Sequence, residues 1–124
     1  MKETPSAGKL GEEMAVSFLS EKGYAIEERN WHCGRDGEID IIARDGPLMV
    51  FVEVKTRFTE NYGQPVQAVG PAKQRQIGRL AKKYLYLKNL YGKIDCRFDV
   101  VSIKFTDGQG IIQHIEDAFR FNPK

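Results

Sequence analysis

The sequence predicts an α/β chain of the α+β kind, one layer of sheet covered by helices, with elements in the order α, three β, α, then one or two β. Three observations predict it. Apolar residues recur at helical spacing in two separated segments, and alternating apolar segments bounded by turn residues fill most of the remainder. The most apolar of those segments is apolar on both faces, as a central strand covered on both sides would be. The 124 residues, 41% hydrophobic and 29% charged, suit a single domain spanning 1–124 that buries a core without needing disulfides or metals.

Residues 8–22 place Leu10, Met14 and Phe18 at i, i+4 and i+8, with Ala15 and Leu19 beside them and Gly23 where a helix would stop. Residues 24–30 are short, mixed and β-compatible. Turn residues Arg35-Asp36-Gly37 precede the segment Glu38-Ile-Asp-Ile-Ile-Ala43, and the Arg44–Pro47 turn precedes Leu48–Arg57, so three strands with tight connections predict an antiparallel meander. Residues 58–70 carry Gly and Pro without a clear period and read as a loop. Pro71 suits a helix start, Ile77, Leu80, Ala81, Tyr84 and Leu85 repeat at helical spacing to about Asn89, and Gly92 lies beyond the end. Residues 96–105 are rich in β-branched and aromatic types, the following Thr-Asp-Gly-Gln-Gly makes a turn, and residues 111–115 can pair back; residues 116–121 are ambiguous.

Several function classes drop out at this level. No apolar run approaches the ~20 residues that span a bilayer, and residues 1–11 lack the apolar stretch of a signal peptide, which predicts a cytoplasmic protein without a membrane partner. Cys33 and Cys96 have 62 residues between them and no C-x-x-C, so a disulfide framework is not expected. A zinc site built from His32, Cys33, Cys96 and His114 ranks low because the usual close-spaced ligand pairs are missing.

The third strand is the informative one. Glu53 and Lys55 emerge at its C-terminal end, on one face, with Cα atoms about 6.6 Å apart. A carboxylate and an ammonium at that spacing can converge on one small reacting group. In the preceding strand Glu38, Asp40 and Ile42 share a face opposite Ile39, Ile41 and Ala43. A hairpin that pairs Arg44 with Leu48 would set Asp40 opposite positions near 52–54, close to Glu53. Two adjacent carboxylates at a buried edge repel, and an oxygen-loving cation such as Mg2+ relieves them. The plainer reading is an ion-pair cluster on a half-solvated strand.

Charge placement bears on the substrate. Residues 71–93 carry seven basic side chains and no acid, so the formal net charge of +2 hides +7 here and −5 on the rest. Arg75, Arg79, Lys82 and Lys83 fall at i, i+4, i+7 and i+8 and make one basic stripe that can neutralise nucleic-acid phosphates without reading sequence. Lys73 lies four residues before Ile77, near the core-facing row, and so is a candidate to point at the site. Arg57 is one step beyond Lys55 on the same face and is another phosphate candidate. Tyr84, Tyr86 and Tyr91 read as helix packing, Trp31 and His32 as core or edge residues, and Asp99 as a partner for Arg97 or Arg57.

The residues Gly37-Glu-Ile-Asp-Ile-Ile through Val-Phe-Val-Glu-Val-Lys-Thr-Arg57 resemble the D-x(n)-E-x-K core of the PD-(D/E)XK nucleases. With the opening G-x-x-G-E-x-x-A (Gly8, Gly11, Glu12, Ala15), the Ala-Lys-Gln-Arg of 72–75 and the Arg-Phe-Asp-Val-Val of 97–101, nearly the whole chain resembles the small bacterial YraN-type family. That family is similar in core layout to archaeal Holliday-junction resolvases. The resemblance implies a restriction-endonuclease-like core, a central mixed sheet flanked by helices, in the order α-β-β-β-α-β-β. It also implies Asp40 and Glu53 as metal ligands, the Val54 carbonyl as a third, Lys55 as the catalytic lysine and Glu12 as an extra acid directed at the metal. Glu12 read by itself is equally an ordinary first-turn acid. The motif's proline is absent: Ile39 precedes Asp40. The expected activity is Mg2+- or Mn2+-dependent hydrolysis of DNA phosphodiesters, with RNA left open, on branched or structured substrates that a homodimer would suit. Lys55 would act as charge stabiliser or as base. The alternative is a non-catalytic nucleic-acid-binding module of the same fold that acts with a DNA-processing partner protein.

Overall fold

The computed structural model describes residues 7–58 and 69–120. Helix α1 (Ala7–Glu21) leads into strands β1 (Ala25–His32), β2 (Glu38–Asp45) and β3 (Leu48–Phe58); helix α2 (Pro71–Leu87) then precedes β4 (Asp95–Thr106) and β5 (Gln109–Phe119). The five strands form one sheet in the order β1-β2-β3-β4-β5, in which only β3 and β4 run parallel among neighbours. This is the expected α-β-β-β-α-β-β arrangement, an α+β fold with a mixed sheet and a helix on each face. The expected loop of residues 58–70 lies, for 59–68, outside the described residues.

β3 is central because both of its faces are apolar. Val50 and Val52 pack with Ala15 and Leu19 of α1, whereas Met49 and Phe51 pack with Ile77, Leu80 and Tyr84 of α2. The apolar stripe of α2 is the helix's reason for docking: Ile77, Leu80 and Leu85 are buried, and each is worth about 1.5–3 kcal/mol relative to exposure. On the other face Gly11 lets α1 lie directly on β3, since a Cβ there would run into the Thr56 side chain.

Two local devices set the register. Gly46, at φ +58, and Pro47 form a two-residue hairpin loop that pairs Asp45 with Leu48 and Arg44 with Met49. The three-residue turn expected from sequence, with Arg44 opposite Leu48, is therefore off by one. The correction matters, because a one-residue slip exchanges the faces of a strand. The ladder ends at Ile41–Val52, so Asp40 is the first β2 residue and Glu53 the first β3 residue beyond the pairing. At the other end of the sheet, β5 pairs Ile115 with Val100 but Phe119 with Phe98. The bulge carries Asp117 at φ +52, whose amide donates to buried Asp99 at 3.0 Å. The ambiguous residues 116–119 are thus strand interrupted by a bulge, which breaks the alternation that marks a strand in sequence.

Candidate functional site

Where β2 and β3 part, the Asp40 side chain takes over from the ladder: the Val54 amide donates to its Oδ2 at 2.8 Å. In an extended strand the N–H and C=O of one residue leave on the same edge, so the Val54 carbonyl also faces this gap. Glu53 follows Phe51 on the α2 face. Its side chain is only 9% exposed, and its Oε2 is buried without a hydrogen-bond partner. Oε1 lies 3.8 Å from the Lys73 ammonium. Lys73 reaches it because the first turn of α2 stands over the end of β3, on the side that carries Ile77 one turn later. Among the candidates for nucleic-acid contact, Lys73 is thus brought to the acids.

α1 supplies the third acid. Glu12 is half-buried and accepts from Asn30 Nδ2 at 3.0 Å. A ligand oxygen each from Glu12, Glu38 and Asp40 lies within 4.8 Å of the others. The inward position of Glu12, left open by its place on the helix edge, is the one observed. Glu38 was not among the sequence candidates, although its place two residues before Asp40 on the same strand face was the available signal. Asn30, at φ +51 in β1, had no such signal.

These carboxyls are hard to ionise together. Burial pushes Asp40 up to about 6, against the Val54 hydrogen bond, with the charge of Glu12 adding to the rise. Burial first, then the charge of Asp40, pushes Glu53 up to about 7, while Lys73 and Lys55 pull the other way. The half-buried Lys55 is thus close enough for its field to act on Glu53. Glu12, Glu38 and Asp40 are the acids whose oxygens converge, the donor type that a hard divalent cation satisfies; Glu53, with its unpartnered buried oxygen, stands outside that group and is tied to it through the charge of Asp40.

The basic stripe is less uniform than its spacing implies. Arg79 is committed: its Nε and Nη2 both donate to Asp36 at 2.9 Å, and Gln76 donates to the Asp36 carbonyl at 2.8 Å. Together they tie the β1–β2 turn to α2. Gly37 sits there at φ +94, a backbone conformation that L side chains rarely adopt, with its Cα against the Gln76 amide. Lys82 lies over the Tyr91 ring at 5.7 Å. Arg75 and Lys83 are exposed. Arg57 is half-buried next to Lys104 in the β3–β4 ladder.

Other expectations meet the structure as follows. Asp99 pairs with Arg97 through two 2.8 Å hydrogen bonds rather than with Arg57. His114 donates to Asp99 at 2.7 Å and accepts from Lys22 at 2.8 Å, a direction fixed because an ammonium only donates. His114 is thereby engaged by Asp99 and Lys22, and Cys33 and Cys96 are free thiols. Trp31 packs edge-on to Tyr84 at 5.1 Å, as a partly buried core-edge residue. The tyrosines divide: Tyr84 is buried, but Tyr86 and Tyr91 are exposed, which corrects their reading as helix packing.

A mixed five-stranded sheet with one helix on each face, in the order α-β-β-β-α-β-β, defines an α+β protein with acids and lysines gathered where its central strands separate. The chain belongs to the family described as Uncharacterised protein family UPF0102, the YraN-type family, whose model matches residues 11–103. The match spans every acid and lysine of the site. UPF0102 proteins of Syntrophus aciditrophicus, Geobacter metallireducens and Geotalea uraniireducens are 51%, 49% and 50% identical to it, over 90%, 92% and 92% of this chain and 87%, 92% and 89% of their own. No helix among the described residues is long and apolar enough to cross a membrane.

Proposed function

We propose that this chain is a Mg2+- or Mn2+-dependent endonuclease that hydrolyses DNA phosphodiester bonds, with branched or otherwise structured DNA as its substrate class, in the cytoplasm. The observation that carries the reading is Glu53: a carboxylate with a buried, unpartnered oxygen, one step past the end of the β2–β3 ladder and within the fields of Asp40 and two lysines. Leaving such an oxygen unmet costs about 1–3 kcal/mol or more, and a cation would supply its missing partner.

In this reading Asp40 and Glu53 hold the ion, with Glu12 and the Val54 carbonyl as further oxygen donors and Glu38 at the open side. A divalent cation supplies Lewis-acid polarisation of a phosphoryl oxygen and a bound water of lowered pKa. Lys55, on the Glu53 face and nearer the end of the strand, meets the negative charge that grows on the phosphate as water adds and the ester oxygen leaves. Lys73, beside Glu53, limits the site's negative charge and so lets a polyanion approach. Arg75 and Lys83 hold flanking phosphates from the exposed side of α2.

The test is incubation of the purified protein with linear, single-stranded, flapped and four-way-junction DNAs, with Mg2+ or Mn2+, beside Lys55→Ala and Glu53→Ala. Metal-dependent cleavage that drops at least 100-fold in both variants is expected. Full activity in either variant overturns the assignment. DNA binding without cleavage under any of these conditions favours the non-catalytic module instead.

A further inference from the structure

Tyr86 and Tyr91 stack against each other with ring centroids 4.3 Å apart and planes within 9°. They do so at the surface: Tyr86 is 59% exposed and Tyr91 37%. An aromatic pair of this kind is expensive to leave in water, and each ring uses only one face on its partner.

Its surroundings say what would cover it. At about 100° per residue, Arg75, Arg79, Lys82, Lys83 and Tyr86 lie within one exposed arc of α2 roughly 100° wide, opposite the arc that carries Ile77, Leu80 and Tyr84. Tyr86 is near the middle of that arc and about 16 Å along the helix from Arg75. The helix and the turn after it contain no acid from Pro71 to Lys93. Lys82 also stands 5.7 Å from the Tyr91 ring centroid, so cation and aromatic face are presented together. An apolar protein partner would gain nothing from these charges, whereas a strand with exposed bases and a phosphate at every step matches both features.

We propose that the Tyr86–Tyr91 pair is a base-stacking platform for single-stranded DNA, approached along the basic arc of α2 that starts at Arg75 near the helix's N-terminal end. The outer face of Tyr86 takes an unpaired base, and Arg75, Lys82 and Lys83 follow the phosphates. A duplex, whose bases are already stacked, gains no stacking here. The inference rests on the nuclease reading for its choice of DNA, and it gives that site a substrate with an unpaired arm.

The experiment is fluorescence polarisation of labelled dT20, a 20-base-pair duplex and rU20 with the whole protein in EDTA, where binding is read without cleavage. Tyr86→Ala is expected to weaken dT20 binding about tenfold and duplex binding less than twofold, and Tyr86→Phe, which keeps the ring, to bind as the wild type does. Arg75→Ala or Lys83→Ala should lower the salt dependence of dT20 binding by about 0.7 in log–log slope. Equal dT20 affinity of Tyr86→Ala and wild type overturns the proposal. Equal weakening by Tyr86→Phe, tighter binding of rU20 than of dT20, or loss of a dimer in place of DNA affinity each overturns it too. Platform-dependent dT20 binding in a protein that never cleaves would stand while the nuclease reading fell, and cleavage with an inert Tyr86 would do the reverse.

Discussion

The Val54 amide donates to Asp40 Oδ2 at 2.8 Å, and this single hydrogen bond ends the β2–β3 ladder and fixes the carboxylate at the mouth of the gap. Asp40 is thus an anchor as well as an ionisable group, and two substitutions separate the roles. Asp40→Asn keeps an oxygen acceptor for the amide and removes the charge; Asp40→Ala removes both. Both variants are expected to lose metal binding in calorimetry. In urea unfolding without metal, Asp40→Ala should be about 1 kcal/mol or more less stable than Asp40→Asn, the penalty of an amide left without its acceptor. Equal stabilities would deny the anchor.

Stability should fall as pH rises through the site's titration. The folded state holds Asp40 and Glu53 well above ordinary carboxylates, at about 6 and about 7. Between the ordinary values and these, the folded protein binds more protons than the unfolded chain, so their contribution is full only below the ordinary carboxylate values and is lost as pH climbs from there through the raised ones. In EDTA the loss from pH 5 to pH 8 should amount to about 1–3 kcal/mol. Glu53→Gln should flatten that slope and melt roughly 3 °C or more above wild type at pH 8. Mn2+ should raise the wild-type melting temperature at pH 8 and leave Glu53→Gln nearly unmoved. A flat wild-type profile, measured by differential scanning fluorimetry, would contradict the repulsion.

What the sequence made legible here was periodic, and what it hid was non-local. The alternation of β3 places Glu53 and Lys55 on one face, and the spacing from Ile77 turns Lys73 inward; both follow from fixed helix and strand periods. The register that sets Asp40 and Glu53 one step past the ladder's last pair depends on whether the hairpin loop holds two residues or three, which the backbone of Gly46 decides. The commitment of Arg79 to Asp36 joins residues 43 apart, so no local pattern announces it. Tyr86 is an instructive miss, since the helical angle that groups Tyr84 with Ile77 and Leu80 also groups Tyr86 with Arg75 and Arg79. Glu38 shared the face of Asp40 in plain sight, but the strand end that draws it toward Glu12 is a tertiary feature.

A second, purely structural acid provides the contrast. Asp99 is fully buried. Burial alone would raise its pKa, yet hydrogen bonds from His114, Arg97 and the Asp117 amide outweigh that and hold it below the ordinary value. Its contribution is therefore present above the ordinary carboxylate range and lost as pH falls through its lowered value, opposite in sign to Glu53. Asp99→Ala strands the Arg97 guanidinium, whose side chain is 17% exposed, and the bulge amide. A loss of about 3 kcal/mol and a melting temperature lower by roughly 10 °C are expected at pH 7. Cleavage and metal affinity below the melting point should stay within twofold, because Asp99 pairs with Val52, on the sheet face opposite Glu53. A selective loss of metal affinity in the folded variant would move Asp99 into the site.

The contact between α1 and β3 tests whether Glu12 belongs to the site. Gly11 lies against Thr56 so closely that a methyl group would overlap the threonine side chain, with the Thr56 Cβ only 3.2 Å from where the new carbon would sit. Gly11→Ala should therefore lift the start of α1 off the sheet and cost about 1–3 kcal/mol, despite alanine's better helix propensity. The same movement would draw Glu12, the next residue, away from Asp40. Mn2+ affinity is expected to fall several-fold, as it should in Glu12→Gln. Pairing Gly11→Ala with Thr56→Ala removes the hydroxyl and methyl in the way and should restore part of both losses, whereas in Glu12→Gln the added Thr56→Ala should restore nothing. If calorimetry finds unaltered Mn2+ affinity in both Gly11→Ala and Glu12→Gln, then Glu12 only caps the Asn30 amide and the ion is held by β2 and β3 alone.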